Sequence, residues 1–178
     1  DLRHELTDAQ WADLIHFEGN ANSFRLLTHQ FKGRRKGGFA MTYSMLASIV
    51  KYPYPSSMAG TKGKSGFFTS ERESYEQIAR ELGIISYADG SYARHPLVYL
   101  LEAADDICYQ IMDIEDAHKL KILNTADTIQ LLLGYFDGER RSEIITNMER
   151  IDDRNERVAY LRSCAIGVLV GQCAKAFV

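Results

Sequence analysis

No apolar run in this chain approaches the length of a bilayer span. The longest, CAIGVLVG at 164–171, falls well short of the ~20 residues that a membrane helix needs, so no membrane partner is expected. Cysteine is scarce as well. Cys108, Cys164 and Cys173 are odd in number, widely spaced, without a CxxC pair and set among apolar neighbours. A disulfide framework is therefore not expected, the three read as core thiols, and a reducing cytoplasm fits best. Charge of one sign is lacking too. The formal net charge is -3, so nothing global calls for nucleic acid as the main partner, although a local basic site stays open. There is no internal repeat, heptad seam or low-complexity tract, and no long alternating run bounded by turns. The five histidines (His4, His16, His29, His95 and His118) include neither an adjacent His-Asp nor an HExxH pattern. The chain opens on Asp1 without a signal-peptide pattern and stops at Val178 within a helix-like run, so a piece of a longer protein is expected.

What is present reads as helix. Hydrophobic residues make up 46% and charged residues 25%, ordinary values for a globular protein. A length of 178 residues suits one domain, and a single α-helical unit over 1–178 is expected. Apolar residues recur at three- and four-residue spacing, which predicts an all-α fold. The spacing predicts a first helix capped at Thr7 or Asp8, a second over 18–31 and a third over 39–52 stopped by Pro53 and Pro55. Residues 53–70, PYPSSMAGTKGKSGFFTS, are too long and too rich in Gly, Ser and Pro for a simple connection, and loops of that kind are usually functional or mobile. Ser70 and Glu73 read as a capping box opening a helix that ends at Gly83. Pro96 sits where a first helical residue can be proline, and the next helix is predicted over 97–121. Further helices follow Asn124 or Thr125, Gly138 and Asp153.

The stretch EAADDICYQIMDIEDA at 102–117 holds six carboxylates and no lysine or arginine. At 3.6 residues per turn, Glu102, Asp105, Asp106, Tyr109, Asp113 and Asp116 project within an arc of about 100°. Leu97, Leu100, Ala104, Ile107, Cys108 and Ile111 are expected to form the opposite, core-facing side, and Glu115 falls outside the stripe. An exposed helix face usually intersperses Lys or Arg four residues on, whereas like charges at that spacing cost about 0.2–0.5 kcal/mol per pair. A hard divalent cation set against the stripe would relieve the repulsion. Tyr109 in its midst adds an amphipathic ring suited to holding a ligand. The plain alternative is a solvated face.

Four co-linear blocks, HFEGNANSFRLLTH at 16–29, GGFAMTYSMLASIVKYPYPS at 37–56, KSGFF at 64–68 and RHPLVYLLEAADDICYQIMDIEDA at 94–117, together resemble the deoxyguanosinetriphosphate triphosphohydrolases of the HD-domain superfamily. The resemblance covers roughly residues 14–120. It implies part of an HD-type helical bundle and a metal-dependent hydrolysis of a dNTP to the deoxynucleoside and intact triphosphate. It also implies a homo-oligomeric parent protein. By similarity, Asp105 is the distant aspartate ligand of a divalent metal (Mg, Mn or Fe), and Tyr109 and Asp113 contact the deoxyribose. Lys64, with Lys62 second, is the candidate phosphate contact, with a solvated loop lysine as the plain alternative for either. Glu18 and Asn20 fall in a block bordering the catalytic centre, where Glu18 would position a water or a histidine or else act as a helix N-terminal carboxylate. His16 is read as a packed or capping histidine rather than a proton shuttle, and Arg94 and His95 as serving the start of the helix at 97, with ligand contact as the lesser alternative.

The basic run KGRRKGG at 32–38 is a candidate site for an effector nucleotide or single-stranded nucleic acid, with a solvated basic loop as the plain alternative. The family's His and His-Asp ligands would precede FEGN and are not in this sequence. The expected metal site is therefore incomplete here, and the chain alone is expected not to hydrolyse dNTPs. Two rivals stand beside this reading: a non-catalytic α-helical nucleotide-sensing or interaction module, and a class I isoprenoid synthase, whose DDxxD motif Asp105, Asp106 and Tyr109 match imperfectly.

Overall fold

The computed structural model describes residues 2–33 and 38–178; the centre of the basic run, 34–37, lies outside them. The described residues form eight α-helices: α1 (Asp8–Ile15), α2 (Gly19–Thr28), α3 (Tyr43–Ser48), α4 (Arg72–Glu81), α5 (Leu97–Lys119), α6 (Thr125–Leu133), α7 (Gly138–Glu149) and α8 (Arg154–Phe177). Extended pairing among them is confined to single bridges, Pro55 with Phe67 and Ser86 with Tyr92. The fold is all-α. No helix among the described residues is long and apolar enough to cross a membrane. The chain falls into two compact units, Asp1–Leu101 and Glu102–Val178, whose boundary lies inside α5.

In the first unit, α1 opens on a full capping box. The Thr7 hydroxyl accepts from the Gln10 backbone N–H at 3.2 Å, and the Gln10 side chain accepts from the Thr7 N–H at 3.0 Å. Helix α2 is shorter than the 18–31 expected, because Glu18 is its N-cap and His29 its C-cap. The third helix also falls short of 39–52. Thr42 caps it at Met45, Ala40 holds a left-handed φ of 54°, and the Phe39 N–H turns back to the Leu27 carbonyl at 3.2 Å. The Ser70/Glu73 capping box does not form. A 3-10 turn, Thr69–Glu71, precedes α4, and the Ser70 hydroxyl donates instead to Glu71 Oε1 at 2.8 Å. Glu71 is buried, and its carboxylate meets Arg25 at 3.3 Å. The C-terminus of α4 is as expected: Gly83 sits at φ 65°, and the Ile84 and Gly83 N–H groups bond the Ala79 and Arg80 carbonyls at 2.8 and 3.2 Å, a Schellman motif.

The core of this unit gathers Phe24, Leu46, Ala47, Val50, Phe67, Tyr75, Ile78 and Ala79. Tyr75 is its centre, stacked on Phe67 at 4.7 Å and edge-on to Tyr92 and Phe24 at 5.3 and 5.9 Å. Its hydroxyl is buried without a hydrogen-bond partner among the described residues, and burial raises its pKa. Deleting an unsatisfied buried hydroxyl removes a desolvation penalty. Tyr75→Phe is accordingly expected to leave the urea midpoint unchanged or to raise stability by up to about 1 kcal/mol; a clear loss would mean that the hydroxyl has a bound partner.

The loop at 53–71 is built, not slack. It contains 3-10 turns at Ser56–Met58, Gly60–Lys62 and Thr69–Glu71. One carboxylate of α1 clasps both sides of it: Asp13 accepts from the Ser56 hydroxyl through Oδ1 and from the Thr69 N–H through Oδ2, the latter at 2.9 Å. Further in, the Gly66 N–H bonds the Tyr54 carbonyl at 3.0 Å. Gly66 lies so close to residues 50–52 that a Cβ there would sit 2.3 Å from the Tyr52 carbonyl oxygen and 2.5 Å from Val50 Cγ1.

The second unit packs α6, α7 and α8 with the C-terminal part of α5 around Ile111, Leu132, Leu133, Phe136, Ile144, Met148, Val158, Leu161 and Ala165. Asn124 and Asp153 cap α6 and α8, accepting from the Asp127 N–H at 2.9 Å and from the Asn155 and Glu156 N–H groups at 2.8 and 2.9 Å. Only part of the expected core-facing side of α5 is buried. Ile107 and Ile111 are buried, but Leu97, Leu100, Ala104 and Cys108 are exposed. Cys108 is thus a surface thiol, and Cys164 and Cys173 are half-buried. Glu115, four residues beyond Ile111 on the same side of the helix, is buried with Ile107 and Ile111. Its carboxylate accepts from Arg162 of α8 at 2.5 Å and pairs with Lys119 at 3.3 Å. A carboxylate can be buried on a core-facing side when it is paired in this way.

Candidate functional site

In the first unit the sequence-nominated residues Glu18, Asn20 and Lys64 come together. Glu18 lies just before α2 in extended backbone, where its side chain serves as the N-cap. Oε2 accepts from the Asn20 and Ala21 N–H groups at 2.6 and 3.3 Å. Oε1 accepts from the Asn20 side-chain amide at 2.9 Å and from Lys64 Nζ at 3.1 Å. Four donors on one buried carboxylate fix its direction. Both oxygens are occupied, so this group orients its neighbours.

Lys64 is held from two sides. Beyond its pair with Glu18, its Nζ lies 5.9 Å from the centre of the Tyr52 ring, and the side chain stays 45% exposed, which leaves room for an anion. The Gly63 turn at φ 61° and the close approach at Gly66 set the lysine there. Lys62 is exposed on the preceding 3-10 turn. Tyr52 has no role assigned from the sequence, yet Lys64 and Arg94 both lie against its ring; its place directly after Lys51 in KYPY at 51–54 is the one sequence signal. His16 is half-buried, and next to it Phe17 stacks on Phe68 at 5.8 Å.

In the second unit, Asp105, Tyr109 and Asp113 follow one another at four-residue spacing along α5. Asp105 is half-buried, Asp113 is exposed and Tyr109 is 70% exposed. A phenol so open on a carboxylate-rich helix face presents both its ring and its hydroxyl to whatever approaches. The far end of the stripe is relieved from outside the quoted run, since Lys119 reaches Asp116 at 3.7 Å as well as Glu115. Among the described residues no three His, Cys, Asp or Glu side chains are grouped so as to hold a metal ion. A divalent cation needs several oxygen or nitrogen ligands, so these residues do not by themselves make a metal centre.

No family model matches the chain. Curated proteins do. A deoxyguanosinetriphosphate triphosphohydrolase-like protein of Pseudomonas aeruginosa is 41% identical over 98% of this chain and 40% of its own length. A protein of the same description from Synechocystis sp. is 35% identical over 93% of the chain and 39% of its own length. The deoxyguanosinetriphosphate triphosphohydrolase of Yersinia enterocolitica is 30% identical over 93% of the chain and 35% of its own length. The chain thus spans about 40% of the length of the first of these relatives. With 41% identity over an alignment that covers 98% of its residues, the chain belongs to the deoxyguanosinetriphosphate triphosphohydrolase family.

Proposed function

We propose that this chain is part of a metal-dependent dNTP triphosphohydrolase, which converts dGTP or another dNTP to the deoxynucleoside and inorganic triphosphate. The observation that carries the reading is the identity to triphosphohydrolases over 98% of the chain. In the whole enzyme Asp105 gives one carboxylate to a Mg, Mn or Fe ion whose other ligands are not among the described residues. Such an ion polarises phosphoryl oxygens and lowers the pKa of a bound water. Tyr109 and Asp113, one and two turns along the same helix, hold the deoxyribose: the ring packs on the sugar and the carboxylate accepts from its hydroxyl. Lys64 meets the phosphates, and Glu18 holds Lys64 and Asn20 in place, which makes it a positioning residue. The enzyme works in the cytoplasm as a homo-oligomer, and the basic run at 32–38 is its candidate contact for a nucleotide or single-stranded nucleic-acid effector.

The test compares two proteins. The full-length enzyme containing this segment is expected to release intact triphosphate and deoxyguanosine from dGTP with Mn²⁺. The 178-residue chain is expected to release none and to gain little dGTP affinity from the metal. Triphosphate release by the chain alone would overturn the assignment of the missing ligands. A full-length protein that binds dGTP and leaves it intact would establish the nucleotide-sensing module instead.

A further inference from the structure

The end of α2, the segment before α3, α3 itself and α4 border a cavity of about 620 Å³, within the range of small-molecule pockets, about 300–1,000 Å³. It lies wholly in the first unit. Leu46 and Ile78 are buried and Met41 is half-buried, which gives the cavity an apolar floor. Its rim follows a fixed course. Ala40 lines it at φ 54°, a left-handed conformation that residues with a Cβ rarely adopt. The chain just before Ala40 is fastened to α2: the Phe39 N–H bonds the Leu27 carbonyl at 3.2 Å, and a Cβ on Gly38 would sit 2.6 Å from that same oxygen. Backbone constrained in this way gathers at ligand sites.

Two polar side chains of the wall are joined to each other. Gln77 Nε2 of α4 donates to the Tyr43 hydroxyl of α3 at 3.0 Å. The bond uses one donor of the amide and one lone pair of the phenol, so the Tyr43 O–H and Gln77 Oε1 are left side by side as a donor and an acceptor. Exchanging the amide oxygen and nitrogen reverses the two roles and leaves the same complement. A molecule that meets both must carry an acceptor next to a donor, as the edge of a nucleobase does, and the Met41 thioether with Leu46 and Ile78 suits the faces of such a ring. We propose that this cavity binds an uncharged planar heterocycle of the nucleobase type, whose ring N–H donates to Gln77 and whose carbonyl accepts from Tyr43. The site is independent of the roles given to Lys64 and Asp105.

The test follows the isotope-labelled 178-residue chain by NMR as hypoxanthine or thymine is added, free bases without the sugar or phosphate that the α5 stripe or Lys64 would meet. Saturable shifts are expected at the Tyr43, Ser74 and Gln77 amides, all three at the cavity wall. Which base produces them distinguishes a purine site from a pyrimidine site. Methylating every ring N–H beside a carbonyl is expected to weaken binding about three- to tenfold, the size of one neutral hydrogen bond. Tyr43→Phe keeps the ring, removes the donor and should lose about as much. Ser74→Trp, placed on the exposed side of α4, should fill the cavity and abolish the shifts without loss of helical circular dichroism. A hydroxyl that only ties α3 to α4 would lower the melting temperature in Tyr43→Phe and leave affinity unchanged, which would overturn the proposal. So would the absence of saturable shifts at the cavity in wild type, or equal affinity for the methylated bases.

Discussion

Replacing Gly66 by alanine is expected to destabilise the first unit by about 2–4 kcal/mol, the range of an overpacked site that cannot relax. The added methyl would meet the Tyr52 carbonyl oxygen at 2.3 Å and Val50 Cγ1 at 2.5 Å. Val50 is buried in the core, and the carbonyl is backbone, so neither neighbour can swing aside as a flexible side chain would. The damage would spread to the site, because the same approach places Lys64 beside Tyr52. Urea unfolding followed by far-ultraviolet circular dichroism measures the loss; a midpoint within error of wild type would mean that residues 50–54 and 64–67 do not pack as described. A second readout is tripolyphosphate binding, which should weaken in this variant even where it remains folded.

Arg162→Leu is expected to cost about 2–3 kcal/mol at neutral pH. Removing one partner of a buried ion pair strands the other, at about 3–5 kcal/mol when burial is complete. Here Lys119 remains as a partner and the Arg162 side chain is 32% exposed, which places the loss below that range. The pair also carries a pH dependence. Burial by itself would push the Glu115 carboxyl up, but the Arg162 and Lys119 donors outweigh it and hold the group below the usual carboxylate range. A carboxyl whose folded pKa is lowered contributes stability above its unfolded pKa, about 4.3 for Glu, and that contribution is lost as the pH falls through the lower folded value. In Arg162→Leu the main charge-assisted donor is gone and burial acts with less opposition. Its stability should therefore begin to fall at a higher pH than that of wild type, and the two unfolding midpoints should converge under strongly acid conditions. Equal midpoints at neutral pH would show that the pair is energetically idle.

The helices were legible wherever a cap and an apolar period agreed. Thr7, Asn124 and Asp153 announced their helices because a short polar side chain just before an apolar repeat has one strongly favoured use. Gly83 marked an end for an equally local reason, whereas the third helix stops at Ser48, before the prolines at 53 and 55. Sequence reading failed where a non-local contact competed. Ser70 looked like a cap, but Glu71 was drawn inward to Arg25, and Ser70 turned to Glu71. The burial of Glu115 follows from its pairing with Arg162, which lies far off in sequence and cannot be inferred from the period of α5; Cys108 has a core-facing period and is nonetheless exposed. Among the candidate residues, the carboxylate stripe and Lys64 are visible as composition and loop chemistry. Tyr52 is not, since a tyrosine declares nothing until the cations that flank it are placed.

The Asp13 clasp has a thermodynamic consequence for whatever binds at Lys64. The loop that carries this lysine is closed at Ser56 and Thr69 by a single carboxylate, so its ends are already joined. Closing a loop of this size and fixing its backbone costs conformational entropy at every ordered residue, and in this protein that cost falls on folding. A ligand that meets Lys64 finds the chain already in place and loses only its own motional freedom and that of a few side-chain torsions.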